Sequence, residues 1–313
     1  MTLAPSLPTV VIGGYLGAGK TTLVNRLLRA EAAAPAHERE RIAVLVNDFG
    51  DVSIDADLIE GAAGDVLSLA GGCICCAFGA DLAGALAKLG AREPPPERVL
   101  IETSGVGLPA AVAATASLAR GVRVEGIVVV ADASAVRRQA ADRYVGTTVL
   151  QQLRQADKLY VAKGDLADAP PRAALEAWLR ERGVAVLVLW SDDSASTELR
   201  ARHFGERPAL ASAAAAAFTP RPLAPPRDHA ERRYAARTQR FDAPVDAAAL
   251  AAQLLAEGVV RAKGVLLDEG GHWVELHLAG GRIDLRPARR PPERGTDARA
   301  PAAGRLVTIV LRA

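Results

Sequence analysis

The chain has few aromatic residues and no long apolar run, although half of its 313 residues are hydrophobic. Because aromatic residues make up only 4% of the chain, its cores must be built mainly from Val, Leu and Ala. No stretch of about 18 uncharged apolar residues occurs, which argues against a helix that spans a membrane. The N-terminus also lacks the basic-then-apolar pattern of a signal peptide, so we expect a cytoplasmic protein.

The chain has no large excess of positive or negative charge, because 38 Lys and Arg residues are balanced by 36 Asp and Glu residues. The net charge of +2 gives no reason to expect a nucleic-acid or membrane partner. Among the basic residues, lysine is scarce. At a phosphate group the compact ammonium of lysine is not interchangeable with the planar guanidinium of arginine, so each lysine is a candidate for a specific role. The five lysines are Lys20, Lys88, Lys158, Lys163 and Lys263.

The strongest motif is the segment 14–21, which fits the phosphate-binding P-loop pattern G-x-x-x-x-G-K-[ST] and follows the apolar run 9–12. Its glycines let backbone N–H groups turn toward phosphate oxygens, and the N-terminus of the following helix attracts the same anion. We expect Lys20 to contact the β- and γ-phosphates of a nucleoside triphosphate and Thr21 to supply an oxygen ligand to Mg²⁺. A glycine-rich turn that only caps a helix is the alternative. The predicted nucleotide-binding residues here are Gly14, Gly17, Ala18, Gly19, Lys20, Thr21 and Thr22.

All three cysteines of the chain lie within four residues, at Cys73, Cys75 and Cys76. Three thiolates so close together, directly after Gly71 and Gly72, can face one soft cation such as Zn²⁺ or Cu(I). The alternatives are a redox pair with the C-x-x-C spacing of Cys73 and Cys76, or buried cysteines without chemistry. We favour a metal site with all three cysteines as ligands.

Acidic residues follow two of the apolar runs that we interpret as strands. Asp48 lies in an acidic segment, residues 47–55, which suits a switch loop ordered by the γ-phosphate and Mg²⁺. An ordinary acidic turn is the alternative. Glu102 follows the run 99–101, where an acid beside the P-loop can hold Mg²⁺ or its waters, and Gly105 can bring a backbone N–H group close to the γ-phosphate. The predicted catalytic residues are Lys20, Glu102 and Asp48.

Lys163 and Asp165 follow the apolar run 159–161. A carboxylate at this place can accept hydrogen bonds from N1 and N2 of guanine, a pair of donors that adenine lacks. Because lysine is rare in this chain, we interpret these two residues as a guanine-recognition segment rather than as a charged surface turn. The predicted nucleotide is therefore GTP, bound with Mg²⁺.

Residues 7–195 alternate short β-branched runs with longer amphipathic segments, which is the pattern of repeated βαβ units. The sequence predicts a three-layer α/β domain of the P-loop NTPase type over residues 1–200, with a mostly parallel sheet. It predicts a linker rich in Pro, Ala and Arg over 201–233 and a smaller α+β C-terminal domain over 234–313. In the first domain we expect strands at 42–46, 99–101, 127–130 and 184–188 and helices at 81–89, 108–118, 149–156 and 173–182.

Taken together, these motifs resemble the CobW family of P-loop GTPases. The resemblance covers most of the chain, because the second half is similar to that family's C-terminal domain. It implies a GTPase that binds zinc or cobalt through Cys73, Cys75 and Cys76 and serves as a metal chaperone or insertase for a client metalloenzyme or a cobalamin-synthesis protein. The resemblance rests on residues 14–22, 47–55, 72–76, 102–105, 163–165, 260–264 and 271–273.

The chain departs from the family pattern in its guanine-recognition segment. Ala162 stands where the family usually carries Asn, and alanine cannot donate a hydrogen bond to guanine N7. We expect Asp165 to preserve most of the preference for guanine. In the switch segment, Asp48 and Asp51 replace the longer Glu residues that the family usually has.

Our leading hypothesis is a GTPase in which the nucleotide state gates the binding of Zn²⁺, or of Co²⁺, at the Cys-x-Cys-Cys site. One alternative is a metal- or redox-sensing module that binds nucleotide without productive hydrolysis. Another is an ATP-dependent P-loop kinase, against which Asp165 argues. The sequence is also compatible with a homo-oligomer.

Overall fold

The computed structural model describes residues 6–47, 64–69, 78–166, 169–191, 200–201, 204, 234–279, 281–288 and 303–311. The strands of the first domain are β1 (Leu7–Gly13), β2 (Ile42–Asn47), β3 (Gly64–Leu69), β4 (Arg98–Glu102), β5 (Val122–Asp132), β6 (Lys158–Ala162) and β7 (Leu187–Trp190). They form one sheet in the order β3-β2-β4-β1-β5-β6-β7. Every neighbouring pair is parallel.

Helices cover both faces of this sheet. Alternate residues of β1 are buried in two different hydrophobic clusters, with Val11 in one and Val10 in the other. The cluster of Val10 includes Leu27 of α1, and the cluster of Val11 includes residues of the other five helices. Strands buried on both faces need continuous apolar runs, which explains why these strands could be predicted from the sequence. The helices are α1 (Lys20–Ala33), α2 (Phe78–Gly90), α3 (Pro109–Ser117), α4 (Val136–Ala141), α5 (Gly146–Arg154) and α6 (Arg172–Glu181).

The strand order reverses direction at β1, which lies between β4 and β5. In open parallel sheets, ligands bind at the carboxyl ends of the strands next to such a reversal, because the loops on either side diverge there. The P-loop follows β1 directly and therefore lies at this point. The predicted three-layer α/β fold with a parallel sheet is confirmed.

Residues beyond β7 still pack on the first domain. Ala201 and Phe204 are buried in the hydrophobic cluster that contains Leu27 of α1. Arg200 is also buried, and its guanidinium donates hydrogen bonds of 2.9 Å to the carboxylates of Glu31 and Glu38. The boundaries at 200/201 and 233/234, and the linker between them, stay predictions.

A second sheet follows, with the strands β8 (Tyr234–Phe241), β9 (Arg261–Leu267), β10 (Trp273–Ala279), β11 (Arg282–Pro287) and β12 (Gly304–Leu311). These strands are antiparallel in the order β11-β10-β9-β12-β8. Helix α7 (Ala247–Ala256) is capped by Asp246, whose side chain accepts hydrogen bonds from two N–H groups of the first turn. Its residues Ala251 and Leu254 are buried with Leu266 and Leu276 of the sheet. The predicted α+β C-terminal domain is confirmed.

His277 lies on β10, on the face of the sheet opposite α7, because its neighbours Leu276 and Leu278 pack in the cluster of α7. Burial and the positive charges of Lys263 and Arg261 lower the pKa of His277 from 6.5 to about 3. Arg286 acts in the same direction, whereas Asp284 opposes it. Glu275 also faces the ring, with a carboxylate oxygen 3.8 Å from Nε2.

The lowered pKa of His277 predicts that the C-terminal domain loses stability in acid. Between pH 6.5 and about 3 the unfolded chain binds a proton at His277 more readily than the folded chain does, so stability falls as the pH falls through this window. We expect His277→Gln to lose less stability than the wild type between pH 7 and pH 4.5, measured by urea denaturation. Solvent screens the charges around His277 and so reduces the expected difference in stability, since the side chain of His277 is 37% exposed. His272→Gln, at a side chain that is 80% exposed, is the control, and equal pH slopes for all three proteins would contradict the prediction.

Candidate nucleotide site

Three of the segments predicted to bind nucleotide meet at one edge of the parallel sheet. The P-loop, residues 14–19, joins β1 to α1, residues 103–105 follow β4, and residues 163–165 follow β6. The segment after β6 contacts the P-loop, because the ammonium of Lys163 donates to the carbonyl oxygen of Gly17 at 2.8 Å. The carboxyl ends of β1, β4 and β6 thus bring residues from three parts of the sequence into one site.

Gly14 gives the P-loop both its conformation and its close approach to the sheet. Its φ of 135° lies in a region that residues with a side chain rarely adopt. A Cβ atom at this position would lie 2.3 Å from the carbonyl oxygen of Val130 on β5. Gly17 and Gly19 also have positive φ, of 75° and 105°. Backbone geometry therefore demands glycine here, independently of any phosphate.

The N-terminus of α1 is arranged to attract an anion. Its capping residue is Gly19, which has no side chain to accept from the first N–H groups, and none of the residues 20–23 is acidic. These N–H groups have no acceptor within the helix, and the helix dipole adds a partial positive charge. Lys20 adds a buried ammonium, which donates to the carbonyl oxygen of Gly14 at 3.0 Å. This combination suits a phosphate group.

Thr21 and Glu102 are brought together although they lie 81 residues apart. The hydroxyl of Thr21 donates to Oε1 of Glu102 at 2.8 Å, and Glu102 is buried at the end of β4. A hydroxyl and a carboxylate are hard oxygen ligands, of the kind that Mg²⁺ takes together with waters and phosphate oxygens. These residues therefore fit the predicted Mg²⁺ chemically.

The loop after β4 is packed between the P-loop and α5. A Cβ atom on Gly105 would lie 2.9 Å from the Cα atom of Leu16, so only glycine permits this contact. From the other side, the buried amide of Gln152 on α5 donates to the carbonyl oxygens of Gly105 at 3.2 Å and Gly107 at 2.8 Å. Gly105, the predicted contact to the γ-phosphate, thus lies in a loop that packs against the P-loop and is hydrogen-bonded to α5.

Lys163 links the guanine-recognition segment to the P-loop. Its ammonium donates to the carbonyl oxygen of Gly17 at 2.8 Å and forms an ion pair of 2.7 Å with Asp132 at the end of β5. Its φ of 62° is in the left-handed region, so the chain turns sharply after β6. Asp165, two residues further on, is exposed and accessible to a ligand.

The remaining predicted site residues lie outside the part of the chain that the structure describes. They are Asp48 of the switch segment and the metal ligands Cys73, Cys75 and Cys76. Within the described ranges, no group of three or more His, Cys, Asp or Glu side chains is arranged to hold a metal ion. The catalytic role of Asp48 and the metal site stay predictions.

Two family profiles match the chain and together cover most of it. The profile described as the CobW/HypB/UreG nucleotide-binding domain matches residues 8–183. The chain belongs to this family. The profile of the cobalamin synthesis protein cobW C-terminal domain matches residues 234–312. The resemblance to the CobW family, proposed from the motifs, is confirmed.

Curated relatives of this CobW-family chain include the zinc chaperone CobW of Sinorhizobium sp, 33% identical over 191 residues, or 52% of each chain. The zinc chaperone YjiA of Escherichia coli is 30% identical over 170 residues, which cover 51% of this chain and 50% of YjiA. The zinc-regulated GTPase metalloprotein activator 1 of Dictyostelium discoideum is 36% identical over 122 residues, 35% of this chain and 24% of the relative. The chain spans about half the length, or less, of the curated relatives it matches.

Solved structures similar to the chain include Zn(II)-bound YjiA GTPase from E. coli, with 19% identity and a TM-score of 0.40. That match covers 99% of this chain and 95% of YjiA. The hydrogenase maturation factor HypB from Archaeoglobus fulgidus has 17% identity and a TM-score of 0.42, over 59% of this chain and 80% of HypB.

In the described part of this CobW-family chain, no helix has the length and apolar character needed to cross a membrane.

Two residues of the site were not predicted from the sequence of this CobW-family chain. Gln152 lies in the predicted helix 149–156, between the buried Val149 and Leu153, and a polar residue on an apolar helix face was the available signal. Asp132 is the last residue of β5 and lies at the same edge of the sheet as the P-loop. It directly follows an apolar run, which was the signal that identified Glu102.

Proposed function

We propose that the chain binds and hydrolyses Mg·GTP and that the nucleotide state controls Zn²⁺ binding at the cysteine motif. Co²⁺ is the alternative cargo. The protein would then act as a metal chaperone or insertase for a client metalloenzyme. The main observation that supports binding of Mg·GTP is the hydrogen bond between Thr21 and Glu102, directly beside Lys20. It joins the segment after the P-loop lysine to the acid at the end of β4. The family match supports the same interpretation.

Each predicted nucleotide-site residue has a defined task in this proposal. The N–H groups of the P-loop and of the α1 N-terminus, with Lys20, bind the phosphates. Thr21 and Glu102 hold Mg²⁺, which neutralises charge on the β- and γ-phosphates when it is bound. Gly105 offers its N–H group to the γ-phosphate from a loop that Gln152 holds. Asp48 completes the proposed catalytic set from the switch segment.

Guanine is the proposed base. The exposed carboxylate of Asp165 accepts from N1 and N2 of guanine, and the ammonium of Lys163 joins the segment to the P-loop. Because Ala162 offers no polar side-chain atom, Asp165 carries the discrimination between guanine and adenine. An ATP-dependent kinase would not need a carboxylate at this position.

Zinc is the proposed cargo of the protein. Three thiolates within the four residues 73–76 provide soft ligands that suit Zn²⁺, and a three-ligand set leaves a fourth position through which the metal can be passed on. Several relatives are named zinc chaperones, which supports this cargo. If GTP tightens zinc binding, zinc must tighten GTP binding by the same factor, because the two equilibria are linked.

The test is a zinc competition titration of reduced, metal-free protein, with and without Mg²⁺ and a non-hydrolysable GTP analogue. We expect the nucleotide to change the zinc Kd by about 5- to 150-fold, the usual range for coupled sites. Cys75→Ser replaces a thiolate by a hydroxyl and is expected to abolish tight zinc binding. Lys20→Ala is the matched control, since it is expected to bind zinc normally and to lose only the response to nucleotide.

Three results would contradict the proposal. Tight zinc binding that ignores the nucleotide would indicate a structural or sensing site. Absence of zinc binding would favour redox chemistry of the cysteines. Absence of GTP hydrolysis with metal and client both present would indicate a sensing module that binds nucleotide without productive turnover.

A further inference from the structure

Asp132 is a buried carboxylate that joins its own loop to Lys163 in the segment after β6. It ends β5 directly opposite Ala162, which ends β6, and it is only 5% exposed. Its Oδ1 atom accepts hydrogen bonds from the N–H group and the hydroxyl of Ser134, at 2.9 and 2.6 Å. Its Oδ2 atom forms the ion pair with Lys163. One oxygen therefore fixes the carboxylate to its own loop, and the other holds the lysine.

Lys163 connects Asp132 to the P-loop. Its ammonium lies between Asp132 and the carbonyl oxygen of Gly17, at 2.7 and 2.8 Å. The side chain of Lys163 is one-third exposed, whereas that of Asp132 is 7% exposed, so the pair is shielded on the carboxylate side. An ion pair with one buried partner and a second acceptor for the ammonium is better defined than a pair on an open surface.

Ala162 makes the contacts of Lys163 with Asp132 and Gly17 more important, because its own side chain can form no hydrogen bond. Its methyl group has no polar atom and lies against the P-loop, because a Cβ atom on Gly19 would be 3.7 Å from it. In the segment 162–165, the side chain of Lys163 is hydrogen-bonded to both β5 and the P-loop. Its backbone has the left-handed conformation that orients the turn leading to Asp165.

We propose that Asp132 is a positioning residue for guanine recognition. Through Lys163 it fixes the turn that carries Asp165 against the P-loop, and it thereby sets both the affinity for GTP and the preference for guanine. The inference rests on the proposed function, because it takes Asp165 as the acceptor of the guanine hydrogen bonds. Asp132 acts through Lys163 and not by contacting the nucleotide.

Asp132→Asn is the variant that isolates this contact. It keeps the shape of the side chain and an oxygen for Ser134, but it turns an NH₂ group toward the ammonium of Lys163, where one donor faces another. We expect the Kd for GTP to rise about tenfold or more, the size of one lost charge-assisted hydrogen bond. The preference for GTP over ITP, whose base lacks the 2-amino group, is expected to fall as well.

The matched control is Asp157→Asn. Asp157 accepts a hydrogen bond of 2.7 Å from the N–H group of Ile127, just before the start of β6 and so at the opposite edge of the sheet. A role of Asp132 in stability alone would lower the melting temperature of Asp132→Asn and leave the ratio of the GTP and ITP Kd values unchanged. Asp157→Asn is expected to show that pattern.

A double-mutant cycle with Lys163→Met tests the route of the effect. If Asp132 acts through Lys163, Asp132→Asn lowers the GTP preference no further in a Lys163→Met background. An undiminished effect in that background, or a wild-type GTP to ITP ratio in Asp132→Asn, would overturn the proposal. If Asp132→Asn does not fold, Lys163→Met alone must lower the preference, and a wild-type ratio there overturns it too.

Asp165→Asn separates this inference from the proposed function. If Asp165→Asn lowers the GTP preference and Asp132→Asn does not, the positioning role fails and guanine recognition stands. If Asp165→Asn leaves the preference unchanged, the assignment of guanine recognition fails, and the role of Asp132 fails with it.

Discussion

Lys20→Ala is expected to bind GTP about 100-fold more weakly than the wild type. The ammonium of Lys20 is buried at the start of α1, and in the proposed complex it donates to the β- and γ-phosphates. Two charge-assisted hydrogen bonds at about 1.5 kcal/mol each amount to about 3 kcal/mol, or about two orders of magnitude in Kd. Titration calorimetry with a non-hydrolysable GTP analogue and Mg²⁺ measures the change.

The control for Lys20→Ala is Lys88→Ala. Lys88 lies in the last turn of α2, before the start of β4, and is exposed. It is expected to bind GTP as the wild type does. Because Lys20 also donates to the P-loop carbonyl of Gly14, the melting temperature without nucleotide has to be measured for both variants. Wild-type GTP binding by a folded Lys20→Ala protein would show that the P-loop is assigned wrongly.

Gly14→Ala is expected to destabilise the protein by about 3 kcal/mol and to abolish nucleotide binding. The added Cβ atom would lie 2.3 Å from the carbonyl oxygen of Val130 and 3.1 Å from its nitrogen, so either β5 or the P-loop has to move. The φ of 135° adds conformational strain for any residue other than glycine. Urea denaturation gives the free energy of unfolding, and a fluorescent GTP analogue reports binding.

Gly84→Ala provides the comparison for Gly14→Ala. Gly84 is an exposed residue inside α2, and a Cβ atom there would meet nothing within 4 Å. Alanine is the better helix former, so this change is expected to stabilise the protein by up to about 1 kcal/mol. If Gly14→Ala were as stable as Gly84→Ala, the close packing of the P-loop on β5 would be incorrect.

The strands of the first domain were predictable where they are continuous apolar runs. The runs 42–46 and 99–101 correspond to β2 and β4. The run 184–188 is displaced, because β7 begins only at Leu187. Gly183 lies in the turn after α6 with a φ of 77°, and the N–H group of Val184 bonds back to the carbonyl oxygen of Leu179 at 3.0 Å. Val184 therefore belongs to the turn that follows the helix and not to the strand.

One α-helix and one strand in the described part of the first domain were not predicted. Helix α4 has six residues, which is too short to show a helical period. Strand β3 lies at the edge of the sheet, and its sequence GDVLSL contains no continuous apolar run. Strand β3 is defined by its pairing with β2, which the local pattern of residues does not reveal.

The sequence by itself determined the phosphate-binding segment, the parallel α/β domain and the family, because each depends on residues that are close together in the chain. Glycines and a lysine at fixed spacing encode a P-loop locally, and apolar periodicity encodes strands and helices. Only the tertiary structure decided that Thr21 meets Glu102, that Gln152 holds the loop of Gly105, and that Asp132 holds Lys163. These contacts join residues 31 to 81 positions apart. They form because parallel strands deliver their carboxyl ends to one edge, and no local pattern specifies which side chains come within hydrogen-bonding distance there.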